Sequence, residues 1–421
     1  MSVAERPQTD PPPDDLVNAV QAMLLPDMAQ KIGVAVSGGG DSLALLHVLA
    51  QLSWRRGLVV EAVTVNHGLR QESEAEAHFV AECCASMGVP HHTLRWQSEH
   101  RQGNLMAAAR DARYRLIADW ATERNITAVM LGHTADDVAE NFLIRLARKA
   151  GPDGLAAMNA QFDREGITWL RPFLQQTRAD LRTYLRAREM TWVEDPTNDD
   201  DNFERTRARK AMAVLKDLGL SVDILQNVSL SMQAARHALD HYANIESRRY
   251  IVQQGGDLVL KLGLTGPLPD EIKRRLWRMA LPWINGAEFP PRQDALTGLL
   301  ASMASLGSGT VGGCLITRRG DDWRITREYQ AVRDLSAATT ALWDDRWRLD
   351  GPHSPDLSVR ALGEAVQDCP DWRKVALPRT SLIATPAIWR GNSLVAAPSA
   401  GLNNGWTAQI VADFHQSAFA H

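Results

Sequence analysis

Lys31-Ile32-Gly33-Val34-Ala35-Val36-Ser37-Gly38-Gly39-Gly40-Asp41-Ser42-Leu43-Ala44-Leu45-Leu46 decides the fold. Residues 32–36 form a compact apolar strand, residues 37–42 read SGGGDS, and an apolar helix follows over 43–52. A glycine turn between a buried strand and a helix gathers backbone N–H groups and the helix N-terminus around an anion. Gly38, Gly39 and Gly40 let the backbone approach phosphate closely, while Ser37 and Ser42 add hydroxyl donors. Asp41 is placed to hold a Mg²⁺ that bridges phosphates. No Gly-Lys-Ser/Thr is present, so this is not a Walker A loop, and Leu43 takes the last glycine position of a G-x-G-x-x-G. The bland alternative is a strand–helix turn with no ligand, against which three glycines between two serines and an aspartate weigh heavily.

Outward from the loop, short apolar runs alternate with amphipathic helices, the rhythm of βαβ units. Strands are expected at 58–65, 92–96, 128–132 and 191–194, and helices at 73–87, 104–124, 135–149 and 177–190. The helix at 135–149 puts Val138, Phe142 and Leu146 on one face. Residues 224–250 have one long helical pattern; beyond 264, tryptophan and proline become frequent and the βαβ rhythm stops. The expected division is a flexible tail at 1–28, a doubly wound α/β domain at 29–220, a helical and α+β substrate-binding part at 221–335, and a small domain at 336–421.

The chain has 421 residues, 45% hydrophobic and 23% charged, enough for two or three domains with sizeable cores. No run approaches the ~20 apolar residues of a membrane helix, so no membrane partner is expected. Cys83, Cys84, Cys314 and Cys369 form no CxxC pair, which fits a reducing, cytoplasmic setting. The net charge of −4 leaves nucleic-acid contact to local basic patches. Residues 205–216 carry five cations and no anion; Lys273-Arg274-Arg275-Leu276-Trp277-Arg278 interleaves cations with an aromatic; Arg318, Arg319, Arg324 and Arg327 flank Trp323. Each patch is either phosphate-binding or a solvated face.

SGGGDS resembles the SGGxDS signature of the PP-loop (N-type) ATP pyrophosphatases, which implies a flavodoxin-like parallel sheet and cleavage of ATP between the α and β phosphates. Further segments narrow the resemblance. Val65-Asn66-His67-Gly68-Leu69-Arg70, Ala109-Arg110-Asp111-Ala112-Arg113-Tyr114, Gly132-His133-Thr134-Ala135-Asp136-Asp137-Val138-Ala139-Glu140, and Glu194-Asp195-Pro196-Thr197-Asn198 with Arg205 and Arg209 are similar in order and spacing to segments of the tRNA(Ile)-lysidine synthases. Bland readings stand beside these. Thr134 and Asp137 also form a T-x-x-D capping box. His133, Asp137 and Glu140 share a helical face and allow a zinc site by ligand type, but carboxylates near a triphosphate suit Mg²⁺ better. Arg110 and Arg113 also fit a solvated helix face.

The resemblance implies a ligase with ATP and Mg²⁺ as cofactors and a CAU-anticodon tRNA(Ile) and L-lysine as partners. ATP would adenylate O2 of the wobble cytidine, and the lysine ε-amine would then displace AMP at C2. It implies catalytic roles for His133, Asp136, Asp137 and Asp41, with Asp41 the metal residue. ATP would be held by residues 37–42 and His67, and the other substrates by Arg70, Arg110, Arg113, Glu140, Arg205 and Arg209. A tRNA thiolase of the same superfamily is the nearest alternative, but it needs a sulfur-handling cysteine, and Cys83 and Cys84 sit far in sequence from these motifs. Whether the protein is a monomer or a homodimer stays open.

Overall fold

The computed structural model describes residues 13–24, 31–68, 73–96, 105–194, 204–261, 267–287, 290–291, 295–299 and 307–417. Arg70 and residues 195–198 lie outside them. The chain forms two compact units, Met1–Arg236 and His237–His421, with the division inside a long helix.

The first unit runs α1 (Asp14–Gln21), β1 (Lys31–Ala35), α2 (Gly40–Arg56), β2 (Val59–Asn66), α3 (Ser73–Ser86), β3 (His91–Arg95), α4 (Leu105–Glu123), β4 (Ala128–Leu131), α5 (Ala135–Ala147), α6 (Pro152–Leu155), β5 (Gln161–Arg164), β6 (Ile167–Leu170), α7 (Arg178–Arg186), α8 (Glu204–Lys216) and the start of α9 (Val222–Tyr250). Its sheet has the order β3-β2-β1-β4-β6-β5, parallel except for β5. Alternate residues face opposite cores, as the two-residue period of a strand requires. Ile32, Val34, Ala62, Met130 and Leu170 pack with α2, α3 and α7, whereas Val63, Val129, Leu131 and Trp169 pack with α4. Strand order reverses between β1 and β4, and in open α/β sheets ligands bind beyond the strand ends at that point.

Four local expectations need correction. The 1–28 segment read as a flexible tail is helical over Asp14–Gln21, because Asp14 and Asp15 open a helix whose Leu16 and Val20 are buried in the core beside α2. Residues 191–194 form no strand; Val193 N–H instead donates to the Gly38 carbonyl at 2.9 Å, so the segment lines the glycine loop. The hairpin β5–β6 was not foreseen, because Glu165 and Gly166 close it with positive φ (53° and 74°) and Glu is an unusual residue there. Leu146, expected to share a face with Val138 and Phe142, is 49% exposed in the last turn of α5 while those two are buried.

His47 of α2 and Tyr184 of α7 are both buried and bonded, Nδ1 to the hydroxyl at 2.5 Å. Burial, helped by Arg188, pulls the His47 imidazole down to about 4. The unfolded chain therefore binds a proton below ~6.5 that the folded chain refuses, so this contribution to stability is intact above that pH and is lost as pH falls toward 4. The midpoint of urea unfolding is expected to drop between pH 7 and pH 5, and less steeply in His47→Gln. An equal drop in both would remove His47 as a cause.

The second unit contains the rest of α9, then β7 (Ile251–Gln254), β8 (Asp257–Leu260), α10 (Asp270–Asn285), β9 (Ser308–Val311), β10 (Cys314–Arg319) and β11 (Asp322–Arg327). These strands form an antiparallel sheet, β7-β8-β11-β10-β9. Next come β12 (Ser336–Ala338), β13 (Trp347–Asp350), β14 (Leu357–Ala361), β15 (Pro386–Arg390), β16 (Ser393–Ala396) and β17 (Thr407–Ile410), in sheets β12-β14-β15-β16 and β13-β17. Two of the basic patches, read from sequence as either phosphate-binding or solvated, are largely committed inside this unit. Trp277 and Trp323 meet edge-to-face in the core at 6.4 Å. Arg275 pairs with Asp240 and Glu271, Arg274 with Glu271, Arg324 with Asp257 and Arg327 with Asp344.

Candidate active site

The loop after β1 takes its shape from its own residues. Gly38 has φ +86°, open to glycine, and an added Cβ would sit 3.3 Å from both Val193 and Val80. Ser42 Oγ donates to the Gly39 carbonyl at 2.9 Å and accepts from Ser37 N–H at 3.1 Å, so Ser42 stitches the loop closed while Ser37 stays exposed. Gly39 is the N-cap of α2, Gly40 its first residue and Asp41 its second. Gly132, at the end of β4, lies so close that an added Cβ would be 3.0 Å from the Asp41 carbonyl group and from Ser42 Cα. Strand β4 thereby delivers the His133–Glu140 segment to the glycine loop.

Helix α5 starts with a capping box. Asp137 Oδ2 accepts from Thr134 N–H (2.9 Å) and from its hydroxyl (3.1 Å). The capping reading is therefore true, and it leaves Oδ1 turned toward Arg178 (3.7 Å) and Arg205 (3.8 Å). Asp136 Oδ2 accepts the Arg178 backbone N–H at 2.7 Å, tying the starts of α5 and α7 together. Glu140 is fully buried: Oε1 accepts from Arg178 (3.1 Å) and Arg209 (2.6 Å), and Oε2 has no hydrogen-bond partner. Arg178 also donates to Asp41 at 3.2 Å.

One guanidinium thus spans Asp41, Asp137 and Glu140. Burial opposes ionisation of Asp137, but His133, then Arg178 and Arg205, and the Thr134 cap bond hold its carboxyl below the usual range. Burial wins at Asp41, pushed up to about 6 against the pull of Arg178. Arg178 was missed from sequence, yet a signal exists: Thr177 and Asp180 form a capping box that puts Arg178 in the first turn of α7, where the helix dipole disfavours a cation. Such a local conflict marks a site.

His67 follows β2 and accepts from Arg113 at 3.1 Å; its Nδ1 is buried with no partner. Burial and Arg113 pull this imidazole down to about 4. Arg110 reaches the Tyr114 hydroxyl at 3.3 Å. His133 accepts from Arg171. The structure thus gathers Asp41, Asp136, Asp137, Glu140, Arg205 and Arg209 around Arg178, and pairs His67 with Arg113.

Among the described residues no group of three or more His, Cys, Asp or Glu is poised for a metal ion. Mg²⁺ bound with nucleotide phosphates needs only one or two carboxylates, and Asp41, at the second position of α2 beside the glycine loop, is a carboxylate placed to meet that demand.

The parallel sheet with this loop at its switch point defines a PP-loop nucleotide-binding domain, and the PP-loop domain family matches residues 14–216. Curated relatives carry the assignment further. The tRNA(Ile)-lysidine synthase of Ruegeria pomeroyi is 45% identical over 97% of this chain and 98% of its own length. The Zymomonas mobilis enzyme of the same name is 36% identical over 73% and 92%, and that of Wolbachia pipientis 32% over 75% and 76%. The chain belongs to the tRNA(Ile)-lysidine synthase family.

Proposed function

We propose that this chain is a ligase that makes lysidine: it adenylates O2 of the wobble cytidine in a CAU-anticodon tRNA(Ile) with ATP, and the L-lysine ε-amine displaces AMP at C2. The supporting observation is that the phosphate loop and the Asp41–Asp137–Glu140 carboxylates meet at one switch point, joined by Arg178. Family membership over nearly the whole chain supports the substrate.

In this reading the cytosine oxygen attacks the α phosphorus, and pyrophosphate leaves into the loop of Gly38–Gly40 and the free N–H groups that open α2. Mg²⁺, when bound, would neutralise charge on the departing pyrophosphate, with Asp41 the residue that would hold it. Asp136 keeps α5 and α7 in register. Lysine must attack as a free amine. Asp137, its carboxyl held low, accepts a hydrogen bond from the amine and positions it; desolvation and the nearby Arg178, Arg205 and Arg209 work against the ammonium that the carboxylates favour, and the proton released on attack leaves with the AMP phosphate. The orphaned Glu140 Oε2 is a second acceptor for lysine, and Arg205 is the cation for its carboxylate. His67 and Arg113 are assigned to the nucleotide side.

Arg110, Arg145 and Arg236 make no ion pair among the described residues, bonding only to the Tyr114 hydroxyl, the Gly154 carbonyl and the Asn159 side chain, and the Arg145 guanidinium is depressed, first by burial and then by Arg236 and Arg110. We assign this cluster to RNA phosphates. Arg145→Ala is expected to weaken tRNA binding and to lower the slope of log K against log salt by about one. Unchanged affinity and slope would make these arginines an ordinary solvated face. Four unpaired cysteines and no helix long and apolar enough to cross a membrane among the described residues accord with the proposed cytoplasmic setting. Residues 221–335 and 336–421 are proposed as the tRNA-binding and small C-terminal parts.

The assay is pyrophosphate release under turnover conditions. Sustained release should need both the tRNA and lysine; release that continues unchanged without lysine would overturn the proposal.

A further inference from the structure

We infer that Arg171 is a positioning residue that fixes His133 as a neutral imidazole presenting Nε2–H to the substrate. Arg171 follows β6 directly and is 7% exposed. Its guanidinium is held on several sides: Nε donates to His133 Nδ1 at 3.1 Å, a terminal nitrogen donates to the Asn159 carbonyl at 2.8 Å, and the plane lies 4.2 Å from the Phe162 ring centre. The Arg171 backbone N–H is anchored on the Ala160 carbonyl at 2.8 Å.

A guanidinium has only donors and does not lose its proton in proteins. Nδ1 of His133 must therefore be the acceptor, and in a neutral imidazole the proton then resides on Nε2. A second proton on the ring would point at the guanidinium, so the imidazolium is excluded for as long as Arg171 stays in place. The charged groups facing His133 agree: Asp137 from α5 favours protonation, while Arg171, Arg205 from α8 and Arg110 from α4 oppose it. Burial together with these cations puts the imidazole at about 3.

Among the described residues no hydrogen bond is made at Nε2, and His133 stays partly exposed next to Gly132, which touches the Asp41 backbone. Its N–H can therefore donate to a substrate oxygen without surrendering the proton. His133 acts as an electrophilic donor and not as a base, whichever substrate oxygen it meets; only the identity of that oxygen rests on the function proposed above.

The test is ¹⁵N NMR of the full-length protein with labelled histidine, with His133→Gln assigning the signal. The expected result is a single Nε2-protonated tautomer that does not titrate between pH 5 and 8, and in Arg171→Met a ring that titrates within that range or mixes tautomers. An Nδ1-protonated or charged His133 in the unsubstituted protein would overturn the inference, as would an unchanged ring in Arg171→Met. If Arg171→Met does not fold, the tautomer of the unsubstituted protein decides alone. The measurement needs neither tRNA nor lysine, so it can succeed while the lysidine reading fails, and the reverse.

Discussion

Arg178→Met is expected to abolish activity and to destabilise the first unit by about 3–5 kcal/mol, the range for removing one partner of a buried ion pair. The side chain is 18% exposed and touches Asp41, Asp137 and Glu140, of which Glu140 is fully buried. Without it, Glu140 keeps Arg209 as its one cationic partner among the described residues, and Asp41, already raised to about 6 by burial, loses the cation that opposes that rise. Adding Glu140→Gln to Arg178→Met removes a buried charge and should recover part of the stability while activity stays lost. Equilibrium urea unfolding and pyrophosphate release read the two effects separately. A single variant within ~1 kcal/mol of the unsubstituted protein would mean that the carboxylates do not depend on this guanidinium.

Gly132→Ala should lower kcat by about tenfold, less than the roughly hundredfold cost of a ~1 Å misplacement because a few tenths of an ångström relieve the contact. Its methyl would lie 3.0 Å from three backbone atoms of Asp41 and Ser42, and backbone at the start of a helix cannot swing away as a side chain can. Either β4 or the loop must shift, and that separates phosphate cradle from carboxylates. The accompanying loss of stability should be modest, about 1–3 kcal/mol, as for other overpacked sites. Steady-state kinetics beside thermal unfolding decides; near-normal kcat would show that the loop tolerates displacement.

The first unit was largely legible because buried parallel strands read as short apolar runs and the loop announces its ligand. Its site was half legible. Asp41, His133, Asp136, Asp137 and Glu140 stand in local patterns, whereas Arg178 and Arg171 act across the fold, through partners up to 137 residues away. Arg178 in a first helical turn was the available hint, and an arginine closing the apolar run Ile167–Leu170 was the other. The second unit was harder. Cations near Trp277 and Trp323 look like a nucleic-acid surface in a linear string, but the helical period turns Trp277 inward, Arg324 reaches Asp257 on the neighbouring strand β8, and Arg327 reaches Asp344 in the connection before β13.

The central claim is that this chain transfers lysine to a cytidine, and nucleoside mass analysis tests it most directly. A CAU-anticodon tRNA(Ile) incubated with the protein, ATP and L-lysine should lose one cytidine and gain a nucleoside with the mass of cytidine plus lysine less water. A thionucleoside, or an unmodified cytidine despite ATP consumption, would contradict it.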